Sequence, residues 1–248
     1  MLIQTAYNDI KARYAGSFIG LAWAVLYPLL FLACYASMYV FVFNARFQMM
    51  EPSDYVLMIF SGLVPFIGFQ EALANTNCVV GNASLMKNTL FPIELVPVKT
   101  ILTSQPTQIS GFVLILLALG VFGKTSKYAA LLPVVWGLQI LFNIGFLWVF
   151  SSLDVIFRDL QNIAGILTIF LMMVSPIAYP ATMVPENLQP FLRLNPLYYI
   201  ISCYQDVLIF QRLPRMSLFI PNVIMSFGLF ILGYAFFMRL KGVFIDNV

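Results

Sequence analysis

Residues 23–43 read WAVLYPLLFLACYASMYVFVF, a stretch without a single Asp, Glu, Lys or Arg. A segment that crosses a bilayer needs ~20 predominantly apolar residues. Lipid offers no partner to open backbone groups, so helix is the form such a segment takes. An aromatic side chain stands at every fourth position: Trp23, Tyr27, Phe31, Tyr35, Tyr39 and Phe43. Each i, i+4 step advances ~6 Å and turns about 40° beyond a full rotation. Five such steps climb ~30 Å, the thickness of the hydrocarbon layer. The rings therefore form a slowly winding ladder. Tyr27 and Tyr39 suit the interfacial belts, whereas Tyr35 lies deeper and its hydroxyl needs a partner.

The rest of the chain has the same character. Of 248 residues, 61% are hydrophobic and 9% charged, against about a quarter charged in a soluble domain. Apolar runs recur throughout, which predicts one membrane domain over 1–248. The net charge of +3 is too small to point to nucleic acid. Cys34, Cys78 and Cys203 are far apart in apolar surroundings and read as small buried hydrophobes. The chain has no His, which removes the commonest metal ligand and general base. No secretory signal is expected, because the first apolar run is long enough to span.

Six stretches predict an all-α integral membrane protein: about 19–43, 55–71, 100–123, 129–153, 161–180 and 217–238. Glu71, at the end of the second, is the one charged residue within them. Gly62, Pro65 and Gly68 make that second span the least secure and are expected to kink or break it. An even number of spans puts both termini on one side. A cytoplasmic placement sets seven basic residues inside against six outside, so the charge rule gives little direction. The flanks of the first span favour termini inside: Lys11 and Arg13 precede it, while Arg46 follows it in company with Glu51 and Asp54.

Residues 1–18 place Ile3, Tyr7, Ile10 and Tyr14 at helical spacing among polar residues, which predicts an amphipathic helix on the membrane surface. Residues 72–99 read as a cytoplasmic link with a stiff re-entry between Pro92 and Pro97. Residues 181–216 are neither clearly spanning nor clearly soluble. Arg193, Asp206 and several prolines deny them a crossing, which predicts one or two short helices dipping into the outer face.

Chemistry is scarce. ALGVFGKTS at 118–126 approximates a phosphate loop, but Ala118 stands where its first glycine belongs and the stretch ends an apolar span. Asn82-Ala83-Ser84 matches a glycosylation acceptor but falls on the cytoplasmic side. No nucleophile–base pair, metal cluster or paired carboxylate emerges, so no catalytic residue and no metal site is expected. Ser104, Gln105, Thr107 and Gln108 in the third span, and Gln139 and Asn143 at i, i+4 in the fourth, read first as interhelical hydrogen-bonding groups. The ladder reads first as packing and anchoring. Its sharper reading is a conduit lined by Trp23, Tyr27, Phe31, Tyr35 and Tyr39, whose faces suit the weakly apolar C–H faces of sugar rings.

Five ordered stretches then carry a resemblance. IKARYAGSFIGLAWAVLYPLL (10–30), NASLMKNTLFPIELVPV (82–98), VIFRDLQNI (155–163), SPIAYP (175–180) and LNPLYY (194–199) resemble the ABC-2 membrane subunits that export polysaccharides, the permeases for O-antigen (lipopolysaccharide), capsule or teichoic acid. The resemblance covers nearly the full length. GSFIG at 16–20 departs from the Leu-Gly pair of many members. The resemblance implies a homodimer in the bacterial cytoplasmic (inner) membrane, both termini cytoplasmic, surrounded by membrane lipids and moving a lipid-linked glycan. It implies two copies of a separate ATP-binding subunit. That subunit carries ATP and Mg, and this chain carries no cofactor. Lys11, Arg13, Lys87, Arg158 and Asp159 are then candidates for the ATPase interface, and Pro176, Asn195 and Pro196 for an outer gate. An ABC-2 exporter of a drug or lipid is the nearest alternative. An ion-coupled carrier or channel predicts internal repeats or charged intramembrane sites, and a membrane enzyme predicts clustered acids, His or Cys; apart from Glu71 at the end of the second stretch, the sequence shows none of these.

Overall fold

The computed structural model describes residues 2–15, 18–39, 51–82, 91–157, 159–180 and 183–247. Among these every regular element is helical. In chain order they are α1 (Leu2–Tyr14), α2 (Trp23–Ser37), α3 (Pro52–Ala74), α4 (Cys78–Gly81), α5 (Leu95–Val121), α6 (Leu132–Ile156), α7 (Leu160–Val174), α8 (Gln189–Leu194), α9 (Pro196–Leu208) and α10 (Met216–Asn247). Short 3-10 turns lead into α2 at Gly20–Ala22 and into α6 at Lys127–Leu131.

Five helical stretches among the described residues are long and apolar enough to cross a membrane: Gly20–Ser37, Pro52–Ala74, Leu95–Val121, Lys127–Ile156 and Met216–Gly242. The stretch expected at 161–180 differs. α7 has 15 residues, about 22 Å of helix against ~30 Å of hydrocarbon. It ends because Pro176 disfavours helical geometry at the residue before it, and Ser175 is extended at φ −78°, ψ 144°.

α3 is the hub of the bundle and packs against α2, α5, α6, α7 and α9. It is also the most buried of the five crossing helices. The expected break at Gly62, Pro65 and Gly68 does not occur; α3 runs unbroken from Pro52 to Ala74. Its neighbours supply the reason. Gln139 Nε2 donates to the Pro65 carbonyl at 2.7 Å and Asn143 Nδ2 to the Gly68 carbonyl at 3.2 Å. Neighbouring side chains of this kind let a membrane helix tolerate proline and glycine. The small residues then serve as packing faces: a Cβ on Gly62 would stand 3.1 Å from the Ile177 Cα, and one on Gly68 would strike the Gln108 amide.

The most extensive helix pairing joins α6 to α10. There the backbones cross at Gly145 and Gly233. A methyl on Gly145 would collide with the Leu229 and Phe230 backbone, and one on Gly233 with the Gly145 carbonyl. Such close approach of small residues is how helices associate in lipid, where apolar surface alone provides little drive.

α1 lies on α5. Ala6 faces the bundle, while Ile3 and Tyr7 are exposed. Buried Lys99 on α5 fixes the arrangement, with its Nζ 2.7 Å from Asp9 Oδ2 and 2.8 Å from Asn82 Oδ1. All ion pairs among the described residues fall at one of two ends of the bundle. Arg13–Glu71, Lys99–Asp9 and Lys241–Glu94 mark the α1 end. Lys124 with Asp54 and Glu51, and Arg212 and Arg215 with Asp206, mark the other.

The phosphate-loop lookalike is a helix terminus. Gly123 at φ +66° ends α5, with its N–H on the Gly120 carbonyl and the Lys124 N–H on the Leu119 carbonyl, the paired bonds of a Schellman cap. Of the cysteines, Cys78 and Cys203 are buried as expected, but Cys34 is exposed. Burial pushes the Cys78 thiol up to about 12, which leaves it unreactive.

Candidate functional site

At the α1 end, a half-open cavity of ≈ 470 Å³ is lined by Arg13, Trp23, Tyr27, Gln70, Glu71 and Thr107, with Ala74 on its edge. Each wall has a local cause. Arg13 comes from the last turn of α1, Trp23 and Tyr27 from the first turns of α2, Gln70 and Glu71 from the end of α3, and Thr107 from α5 beside Pro106. Arg13 Nη1 lies 3.0 Å from Glu71 Oε2, with 43% of the arginine side chain exposed and 12% of the glutamate. Thr107 stands beside the same carboxylate. Gln70 Oε1 is buried with no hydrogen-bond partner among the described residues. The cavity thus offers two aromatic faces, a guanidinium, a carboxylate and an open amide acceptor. No nucleophile–base pair stands among the described residues that line it.

The aromatic ladder starts in this cavity. Trp23 and Tyr27 line it, and from Tyr27 the rings follow one another along α2 to Tyr39, two residues past its end. Centroids are 5.9 Å apart for Tyr27–Phe31, 6.5 Å for Phe31–Tyr35 and 5.0 Å for Tyr35–Tyr39. Phe31, Tyr35 and Tyr39 rest partly buried against the main core. At the far end Tyr35 lies within electrostatic reach of Tyr39, Tyr55 and Tyr179. Phe43 falls outside the described residues.

Tyr179 belongs to the non-helical strip 175–180, where the outer-gate candidates meet. Ser175 to Ala178 are buried, so their backbone needs partners from protein. Three side chains serve that strip. The Tyr55 hydroxyl donates to the Ala178 carbonyl at 2.9 Å, Gln205 Nε2 donates to the Pro176 carbonyl at 2.9 Å, and Asn195 Nδ2 donates to Ser175 Oγ at 2.9 Å. Asn195 also caps α9, its Oδ1 accepting from the Leu197 N–H at 3.0 Å, and Pro196 occupies the first helical position, where its fixed φ fits. Pro176, Asn195 and Pro196 are therefore neighbours. α9 itself is buried against α3, α6 and α10.

The ATPase-interface candidates divide differently. The Lys11 side chain is exposed, with Nζ 4.6 Å from the centroid of the Tyr7 ring. Arg13 turns into the cavity. Asp159 is exposed at the start of α7. Lys87 and Arg158 lie outside the described residues. Sequence reading did not assign Glu71, Gln70 or Lys99 to a site. Glu71 carried a usable signal, since a lone carboxylate within a predicted span is a functional candidate. Lys99 carried none, because its burial depends on Asp9, ninety positions earlier.

The polar residues of α5 and α6 form the expected interhelical network. Gln108 Nε2 and the Tyr204 hydroxyl both donate to Gln139 Oε1, at 2.8 and 2.7 Å, and Trp136 Nε1 donates to Gln105 Oε1 at 3.0 Å.

Comparison with known proteins identifies the family. The chain is 28% identical over 244 residues to the O-antigen export system permease protein RfbA of Klebsiella pneumoniae, covering 97% of this chain and 92% of that protein. It is 28% identical over 218 residues to an RfbA of Myxococcus xanthus, covering 86% and 82%. Against the polysialic acid transport protein KpsM of Escherichia coli it is 21% identical over 203 residues, covering 80% and 77%. The family model for ABC-2 type transporters matches residues 3–209, and with most of its length inside that match the chain belongs to the ABC-2 transporter membrane family.

Proposed function

We propose that this chain is the membrane half of an ATP-driven exporter of a lipid-linked polysaccharide. One observation carries the reading: the half-open cavity at Trp23 and Tyr27 continues into the ring ladder, which runs from Tyr27 to Tyr39. Aromatic faces tolerate a sliding sugar polymer, while Gln70, Thr107 and Glu71 offer hydrogen bonds to its hydroxyls. Arg13 suits the phosphate that joins glycan to lipid. The names of the relatives support the same cargo class.

In this reading α7 and the strip 175–180 together make the sixth crossing, and α8 and α9 are re-entrant helices at the outer exit. The bonds from Tyr55 and Gln205 to the Ala178 and Pro176 carbonyls support this, because non-helical backbone at membrane depth needs protein partners. Both termini face the cytoplasm, α1 lies on the inner surface of the cytoplasmic membrane, and a second copy completes the conduit. α2 supports the last point, since little of it is buried within one copy although it bears the ladder. Two ATP-binding subunits, each with ATP and Mg, dock at the α1 end, where Lys11 and Asp159 are exposed.

The test is copurification. An ATPase encoded beside this chain should copurify with it, and a lipid-linked glycan should stimulate hydrolysis. A complex that forms but responds to a drug or an unglycosylated lipid instead would favour the other ABC-2 reading.

A further inference from the structure

At the opposite end of the bundle, residues 209–215 join α9 to α10 and hold a second, separate arrangement. Asp206 is fully buried and gathers two arginines. Arg212 Nε and Nη2 donate to Oδ1 at 2.8 and 2.6 Å, and Arg215 Nε and its backbone N–H donate to Oδ2 at 3.2 and 3.1 Å. Two guanidiniums against one carboxylate leave one positive charge. Arg212 Nη1 and both Nη groups of Arg215 make no hydrogen bond among the described residues, and the side chains are 45% and 42% exposed.

The loop is pre-set. Gln211 sits at φ 49°, an uncommon conformation for a residue with a Cβ. Its Nε2 is tied to the Lys124 carbonyl at 3.0 Å, and the Arg212 N–H to the Asp206 carbonyl at 3.0 Å. The guanidiniums are thus fixed before anything binds.

Beside them lies an apolar cleft of ≈ 180 Å³, walled by Val134 and Val135 of α6 and by Leu213, Pro214, Met216 and Phe219. Arginines and cleft residues alternate along the chain: Arg212, Leu213 and Pro214, Arg215, Met216. A bound molecule that places an anionic group on the arginines therefore places its next atoms against the cleft. Val134, Leu213 and Met216 leave its rim apolar and exposed, at the end of the bundle where the charged residues mark an interface.

We infer that this is a binding site for one anionic phospholipid, its phosphate on Arg212 and Arg215 and the upper part of one acyl chain in the cleft. Guanidinium forks match phosphate oxygens, and basic pockets between membrane helices take anionic headgroups. A free phosphate would use the arginines and leave the cleft empty. The site is independent of the cargo cavity, from which it is separated by the length of the bundle.

The experiment uses the full chain in phosphatidylcholine nanodiscs doped with a trace of phosphatidylglycerol bearing a photoactivatable acyl chain, or with the matching phosphatidylcholine probe. Labelled peptides are mapped by mass spectrometry. The phosphatidylglycerol probe should label 131–135 and 213–219 about fivefold over the phosphatidylcholine probe, the enrichment that one net charge gives at an interface. Arg212→Gln with Arg215→Gln should abolish the preference. Met216→Glu, at an exposed position that leaves Asp206 its partners, should abolish it too. Equal labelling by both probes, labelling that ignores these two segments, or a preference that survives Met216→Glu would overturn the site. A preference erased by inorganic phosphate would also overturn it, assigning the arginines to a soluble anion.

Discussion

Arg13 on the last turn of α1 and Glu71 at the end of α3 form an ion pair of 3.0 Å inside the cavity where the ring ladder begins. The pair joins α1 to the most buried helix of the bundle. A motor docked against α1 would therefore act on α3 through a direct contact. Lys99 with Asp9 provides a second tie of α1, to α5.

Arg13 is nearly half exposed, so the pair adds at most about 1 kcal/mol to folding. Arg13→Glu should accordingly leave the thermal unfolding midpoint almost unchanged while export falls severalfold. The swapped double variant, Arg13→Glu with Glu71→Arg, should recover part of the loss. Equal losses in single and double variants would show that Arg13 acts on cargo or motor without its partner.

Tyr35 tests the ladder. Its ring stands between Phe31 and Tyr39, so Tyr35→Leu interrupts the aromatic path midway while keeping apolar bulk. Export of glycan should slow, with the complex assembling normally on size exclusion. Unchanged export would reduce the ladder to packing.

Gln139 tests the network behind α3. Gln139→Leu strands the Gln108 amide and the Tyr204 hydroxyl, and removes the side-chain donor to the Pro65 carbonyl. Pairwise bonds in membrane bundles average ~0.6 kcal/mol, and buried groups left unpaired cost more, so the loss should be about 2 kcal/mol. Unfolding of the purified chain in denaturant would measure it.

The crossing of α6 and α10 gives a contrast between glycines. Gly145→Ala drives a methyl into the Leu229 backbone, which cannot yield as a side chain can. It should cost about 1–3 kcal/mol, the usual range for overpacking. Gly165→Ala on α7 meets nothing within 4 Å, so it should be neutral or stabilise by up to about 1 kcal/mol. Calorimetry on the two variants checks both signs.

Local signals explain what could be read from the sequence. Hydropathy placed five of the six expected stretches on long apolar helices, with ends agreeing to within about six residues, because lipid allows few alternatives to an apolar helix. The ladder spacing was visible, and its rings meet in sequence from Tyr27 to Tyr39, stacked at Tyr27–Phe31 and tilted beyond. Asn195 and Pro196, named for an outer gate, stand at the start of α9. Reading failed where long-range partners decide. Gly62, Pro65 and Gly68 looked like a break, yet Gln139, Asn143 and Gln108 on other helices make them the packing face of α3. Apolar character carried the fifth stretch to residue 180, but Pro176 stops the helix at Val174. The cavity was half legible. Trp23, Tyr27 and Arg13 were singled out separately, and only the fold brings them to Glu71 and Gln70.

The central claim is that this chain conducts cargo while a separate subunit supplies the energy. Transport in sealed vesicles tests it most directly. Vesicles holding the chain together with its ATPase should move a labelled lipid-linked glycan when ATP and Mg are added, and vesicles holding the chain alone should move none under a proton or sodium gradient. Gradient-driven movement by the chain alone would contradict the account.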